Sequence, residues 1–321
     1  MDKRYYYIEN YGNEDDDLNK VDEKLKENRV SGYIVGVNKD KIYYEQYKIQ
    51  EEKGSVLISH GFTECIEKYK EIIYYFIMEG YSVYIIEHRG HGRSGSLGDN
   101  DKTQVHIDDF NDYIEDFKIF IDTVVEKRNK LYLFAHSMGG TIAGLFLKKY
   151  PNYFNKVILN SPMFEIKVEN IPSSLAKLIS KLSVEFGRGF DFAFGNFPFE
   201  ANYDFFLAET SSESRYRRWY KEISSNSEIQ RGGASFKWLY EALENINLLL
   251  KNEDNNKIKT PIVLFQAGKD SLVGGKGHAK FKEICENCNI IRYEKGKHDL
   301  YLEIDEILFD YMNKIFDFLE K

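Results

Sequence analysis

The feature that most constrains this chain is a repeated alternation of short apolar runs with longer stretches of helical pattern. SVLIS (55–59), YSVYII (81–86), KLYLFA (130–135), KVILN (156–160), PIVLFQA (261–267) and NIIRY (289–293) have the length and apolar continuity of buried strands. Helical stretches at 66–79, 107–127, 138–149, 276–286 and 301–319 lie between and after them. That alternation predicts an α/β fold with a doubly wound, mostly parallel sheet. GYIVGV (32–37) and KIYYEQYKI (41–49), joined by Asn38, Lys39 and Asp40, predict an antiparallel hairpin ahead of the sheet. The residues before it read as an acidic, polar lead-in.

One interval breaks the alternation. About a hundred residues separate KVILN from PIVLFQA, where a βαβ unit takes roughly thirty. The surplus predicts an inserted cap over 165–248, partly helical, between core segments 1–164 and 249–321. It carries nine aromatics within 186–206 and a basic segment, SRYRRWYK, at 214–221.

Composition removes several classes of function. The 321 residues are 42% hydrophobic and 15% aromatic, too apolar for a disordered chain. Net charge is −8, from 44 Lys and Arg against 52 Asp and Glu, which argues against a nucleic-acid partner. No apolar stretch approaches the roughly 18 residues of a spanning helix, and the N-terminus has no signal-like apolar segment. A cytoplasmic protein is expected, at most peripheral to the inner face of a membrane. Cys65, Cys285 and Cys288 read as reduced thiols, and the C-x-x-C of the last two lacks the further ligands a structural zinc needs.

The chemistry centres on LYLFAHSMGG (131–140), where an apolar run stops at Ser137. A nucleophilic serine on a strand-to-helix elbow needs small residues two positions before and after it, and Ala135 and Gly139 meet that need. A serine hydroxyl also needs a base, a group to orient the base, and oxyanion donors. Asp270 follows one strand in GKDSLV and His298 follows the next in EKGKH, in the order Ser, Asp, His and at strand ends where open α/β sheets bind ligands. The N–H groups of Met138 and Phe62 are the candidate oxyanion donors, with Gly61 turning the backbone towards the site. His136 reads as structural, because neighbours on an elbow point apart. EHRGHGRSG (87–95) frames the site without a phosphate-binding pattern, with a direct substrate contact by His91 as the alternative. His60, His106 and His278 read as local hydrogen-bonding residues, and Asp299 as a poor triad acid beside His298.

HGFTE, EHRGHGRSG, AHSMGG, GKDSLV and KHDLYLE, in this order, resemble the monoacylglycerol lipase and lysophospholipase group of α/β-hydrolases. VHIDDFNDYIEDF (105–117), SPMFEI (161–166) and the segments RYRRWY and RGGASFKW within 215–238 look most like its bacterial lysophospholipase branch. The resemblance implies an α/β-hydrolase fold and a serine hydrolase that cleaves one acyl ester from a lipid. It carries over Ser137, Asp270 and His298 as a triad, Phe62 and Met138 as the oxyanion hole, and no metal or cofactor. The partner expected is a small amphipathic lipid ester, with transient contact at a membrane surface open. A carboxylesterase, thioesterase or peptidase on the same scaffold is the alternative, and a non-catalytic binding protein a further one. Phe190 and Phe194 either line an acyl tunnel or form an ordinary cap core. Arg217 and Arg218, with Arg215 and Lys221, either meet a lipid phosphate or form a solvated helix face.

Overall fold

A computed structural model describes residues 4–126, 130–168, 171–251 and 258–321. The lead-in is more ordered than its polarity suggests, for it holds helix α1 (Asp15–Asn28). Only Val21 and Leu25 of that helix are buried, four residues apart on one face, and three aspartates in its first turn complement the helix dipole. The predicted hairpin follows as β1 (Arg29–Val35) and β2 (Lys41–Tyr47), which pair antiparallel.

The six apolar runs become β3 (Gly54–Ser59), β4 (Tyr81–Ile86), β5 (Leu131–His136), β6 (Lys156–Asn160), β7 (Ile262–Ala267) and β8 (Cys288–Tyr293). They pair in parallel, in a sheet ordered β1-β2-β4-β3-β5-β6-β7-β8. Every residue of β3, β4 and β5 is buried, as a sheet covered on both faces requires.

The strand period of two divides the core. Leu57, Leu133 and Ala135 face one side with α3 (Asn111–Val124) and α4 (Met138–Lys149). Val56, Ile58, Tyr132 and Phe134 face the other with α1, α2 (Lys70–Met78) and α9 (Asp305–Glu320). Helix α3 is shorter than the expected 107–127, whose last residue lies outside the described ones.

Between β6 and β7 come α5 (Ser173–Glu185), α6 (Glu213–Ser225) and α7 (Phe236–Leu249), and α8 (Gly275–Ile284) joins β7 to β8. Ser212 and Ser235 start α6 and α7 by accepting hydrogen bonds from the N–H groups of Arg215 and Trp238. Helix α7 packs on α5 and reaches α4, where Leu249 lies so near Gly144 that a Cβ there would come within 2.9 Å of it. These contacts hold the α5–α7 layer beside the C-terminal end of β5, where the candidate site lies.

Candidate active site

The turn from β5 into α4 forces Ser137 into φ 49°, ψ −116°. Such a conformation costs about 1–3 kcal/mol and persists only when its surroundings fix it. Here Ser137 N donates to Asn160 O (3.1 Å), and Ser137 O accepts from Gly140 N (2.9 Å) and Met163 N (2.8 Å). A Cβ on Gly139 would lie 2.2 Å from Ser59 O, and one on Gly140 2.4 Å from the Pro162 side chain, so both glycines are required by close approach. Ala135 is fully buried in the core, and its methyl is accommodated.

Asp270 and His298 lie in the loops after β7 and β8. His298 Nδ1 donates to Asp270 Oδ2 at 2.7 Å, and Asp270 Oδ1 accepts from Leu272 N (2.9 Å) and Val273 N (2.8 Å). Burial works against a charged His298, but the hydrogen bond and charge of Asp270, with Asp299 and Glu209 nearby, outweigh it and raise its pKa above the ordinary 6.5. Burial likewise favours a neutral Asp270, and His298 with the two N–H donors outweighs it, holding the carboxyl below its usual range.

Ser137 lines two cavities of different character. One, of about 260 Å³, is the more polar of the two, with Glu64, Lys68, His298 and Asp299 among its walls beside Leu207, Trp219 and Leu272. The other, of about 280 Å³, is apolar, with Met163, Ile166, Phe194, Trp238 and Leu239 among its walls. Phe62 borders both. The side chains of Ser137 and His298 share the polar cavity without a hydrogen bond between them among the described residues; such contacts are commonly loose before substrate binds. The N–H groups of Phe62 and Met138 have no protein acceptor among the described residues, and Met138 opens α4, where the first N–H groups are left free by helix geometry. The arrangement suits a nucleophile, an oriented base and two free donors at the end of a sheet.

Residues 50–305 match the Hydrolase_4 family, described as serine aminopeptidase, S33. The chain belongs to this family. It is 29% identical over 303 residues to lysophospholipase L2 of Escherichia coli, covering 90% of this chain and 86% of that protein. To the monoglyceride lipase of Mus musculus it is 24% identical over 260 residues, 79% of this chain and 78% of that one. A soluble variant of Saccharomyces cerevisiae monoglyceride lipase, solved with a substrate analog, shares the fold at TM-score 0.70 and 19% identity, covering 90% of this chain and 94% of that chain.

Around the serine of this Hydrolase_4 chain lies a buried polar network that sequence reasoning missed. Glu64 accepts hydrogen bonds from Gly61 N (2.6 Å), Lys68 Nζ (2.5 Å), Tyr301 OH (2.9 Å) and Tyr69 OH. Lys68 also pairs with Asp299 at 2.8 Å, and Asp299 lies 3.3 Å from His136 Nε2. Burial would raise the Glu64 pKa, yet Lys68, His136 and the hydrogen bonds hold it well below the carboxylate range. Asp299 therefore belongs to Lys68 and His136, and Asp270 alone contacts Nδ1 of His298 among the described residues. The spacing of Glu64 and Lys68, four apart, was the one local signal for this network.

The remaining candidates divide. His136 is buried, takes a 2.7 Å contact from Asn160 Nδ2, and also borders the polar cavity. His91 is fully buried, its Nδ1 donating to Arg89 O (3.0 Å) and its ring lying behind Phe62 at 6.1 Å, so it borders neither cavity at Ser137. His60, His106 and His278 make local contacts to Gly61 O (2.7 Å), Ser235 Oγ (2.8 Å) and Pro162 O (2.9 Å). Phe194 borders the apolar cavity, whereas Phe190 stacks on His106 at 4.0 Å, and Phe186, Phe197 and Phe206 are exposed. The aromatic run is thus neither a tunnel nor a closed core.

The basic segment is also not a uniform solvated face. Arg215 is buried and bound to Glu71 (2.8 Å) and Asp305 (2.8 Å), and Arg218 donates to Glu67 O (2.8 Å). Arg217 is exposed and paired with Glu213 at 3.3 Å. Among the described residues, two three-ligand groups could meet a metal, His136–His298–Asp299 and Cys65–Glu67–Glu87. Cations already sit in both, Lys68 on Asp299 and Arg93 on Glu67 and Glu87.

Proposed function

We propose that this chain is a serine hydrolase that cleaves the carboxylic ester of a single-acyl lipid, a lysophospholipid or monoacylglycerol, through an acyl-enzyme. The observation that carries the reading is the position of Ser137 between an apolar cavity and a second one whose walls also carry charged side chains. An ester whose acyl chain lies in the first and whose alcohol portion lies in the second presents its carbonyl to Ser137. The names of the relatives in E. coli and mouse support this substrate class.

In the proposed reaction Ser137 Oγ attacks the carbonyl carbon while His298 Nε2 takes the hydroxyl proton. Asp270 holds the imidazole tautomer and stabilises the imidazolium. The oxyanion forms between the N–H groups of Phe62 and Met138, which need no reorganisation to receive it. As the C–O bond breaks, His298 returns the proton to the leaving alcohol. Water, deprotonated by His298, then attacks the acyl-enzyme and releases the fatty acid. Segment 165–248 acts as a cap, contributing Ile166, Phe194, Trp238 and Leu239 to the acyl side. The exposed Phe197, Phe206 and Leu207 on it support transient contact with a bilayer surface. No helix among the described residues is long and apolar enough to cross one.

The test is a hydrolysis panel of lysophosphatidylcholine, monoacylglycerol, acyl thioester and aminoacyl amide, in wild type and Ser137→Ala. Oxygen-ester turnover should dominate and fall on the order of 10⁶-fold in the variant. Faster amide cleavage would favour the peptidase reading that the family description carries, and retained ester turnover in Ser137→Ala would end the proposal.

A further inference from the structure

We propose that the groove between α5, α7 and α8 is a second lipid site, which binds a long-chain carboxylate, that is, a free fatty acid. At about 540 Å³ it is larger than either cavity at Ser137 and falls within the range of ligand sites. Its walls are mainly apolar, from Phe164 and Leu178 to Leu243, Ile246 and Leu250, with Ser173, Ser174 and Asn247 between them. Its rim is cationic, with Lys177 and Lys181 on α5 facing Lys276 and Lys280 on α8.

The charges of this rim are unequally satisfied. Lys177 pairs with Glu244, and Lys181 lies 3.7 Å from Glu185. Lys276 and Lys280 form no ion pair among the described residues, and their spacing of four puts both on one side of α8. The acid that lines the groove, Glu165, is committed, since its Oε2 accepts from the N–H groups of Lys276 (3.0 Å) and Gly277 (3.2 Å). In a chain of net charge −8, a mainly apolar trough with two unpaired ammonium groups on its rim calls for an amphiphile with one hydrocarbon tail and an anionic head. The tail lies along Leu178, Leu243 and Ile246, and the carboxylate meets Lys276 and Lys280.

Place narrows the occupant. Ile166 borders both this groove and the apolar cavity at Ser137, so the two are separated by one side chain. A fatty acid leaving the acyl cavity meets the groove next. The class of ligand follows from the groove alone, whereas its origin as the product of Ser137 rests on the ester-hydrolase reading.

The experiment uses the full chain carrying Ser137→Ala, labelled with palmitate bearing a photoreactive diazirine at its tail and then peptide-mapped. Labels are expected on α5 and α7, with at least tenfold loss in Lys276→Glu/Lys280→Glu and unchanged labelling of peptides around Ser137. Both lysines are exposed, so the double variant should keep its Tm. Unlabelled carboxylates should compete about tenfold better for each two methylenes added, and hexadecanol should compete far less than palmitate. Labels confined to the Ser137 cavity, labelling indifferent to charge reversal, equal competition by the alcohol, cross-links only between two copies of the chain, or no labelling would each overturn the proposal. Failure of the ester reading would leave these results standing, because binding is measured without turnover.

Discussion

Arg215→Met should destabilise the protein by about 3–5 kcal/mol, the cost of leaving a buried partner charge uncompensated. The figure follows from what Arg215 holds. Its Nε and Nη2 both bind Glu71 (2.8 Å each), Nη1 binds Asp305 (2.8 Å) and Glu303 O (3.1 Å), and Nη2 reaches Ile8 O (3.4 Å). Without it, Glu71, 1% exposed, keeps Tyr75 OH at 2.6 Å as its side-chain donor. Asp305 is nearer solvent and loses less. Stabilities of folded proteins are about 5–15 kcal/mol, so the loss would be a large share of the total. Urea unfolding followed by circular dichroism should show a lower midpoint at unchanged slope. Arg215→Met/Glu71→Leu should recover most of the loss, since replacing a whole buried pair by apolar groups is often neutral. Arg217→Ala, on the exposed side of the same helix, should leave the midpoint unmoved. A single variant within 1 kcal/mol of wild type, or a double variant no better than the single, would refute this account of the basic segment.

Four other outcomes are expected. The rate kcat/KM on an ester should fall tenfold per pH unit on the acid side of the His298 pKa, which lies above 6.5 because of Asp270. The sign is opposite for stability: the raised His298 pKa contributes stability that is full below its unfolded value and lost as pH rises through the folded one, whereas the lowered Asp270 pKa contributes stability that is lost as pH falls through its folded value. Asp270→Asn should move the acid limb of the rate profile down and lower turnover by about 10⁴-fold, and an unmoved limb would show that another group titrates. Gly139→Ala should cost about 1–3 kcal/mol or more by overpacking against Ser59 O and should also slow turnover, whereas Ala135→Gly should keep the elbow, as thermal melts and ester assays would show. Leu239→Trp, filling the apolar cavity, should shift preference towards shorter acyl chains at about 0.8 kcal/mol per methylene excluded, read as kcat/KM across an ester series.

What was legible in the sequence is what short-range pattern carries. Six buried strands announce themselves by continuous apolar runs, and the elbow by small residues around Ser137. Asp270 and His298 stand out because the sheet delivers both to the same edge. Helix α1 was not legible, having just two buried residues in a polar segment. The inward turn of Arg215 was hidden because Glu71, 144 positions away, is its partner. The aromatic run misled for a related reason: composition does not say which rings meet a cavity, and Phe194 does while Phe186 and Phe206 do not. Adjacency to His298 makes Asp299 read as a poor triad acid, and its actual partner, Lys68, is even more remote in the chain than Glu71 is from Arg215.

The loop that holds Phe62 and the loop that holds His298 come from opposite ends of the chain, and no strand joins them directly. One carboxylate grips Gly61 N on the first and Tyr301 OH on the second. The spacing between the proposed oxyanion donor, Phe62 N, and the proposed base, His298, is therefore braced by a side chain as well as by the sheet. A family member that altered Glu64 would have to rebuild that spacing, so adaptation of this centre is freer on the cap side than at the last residue of HGFTE.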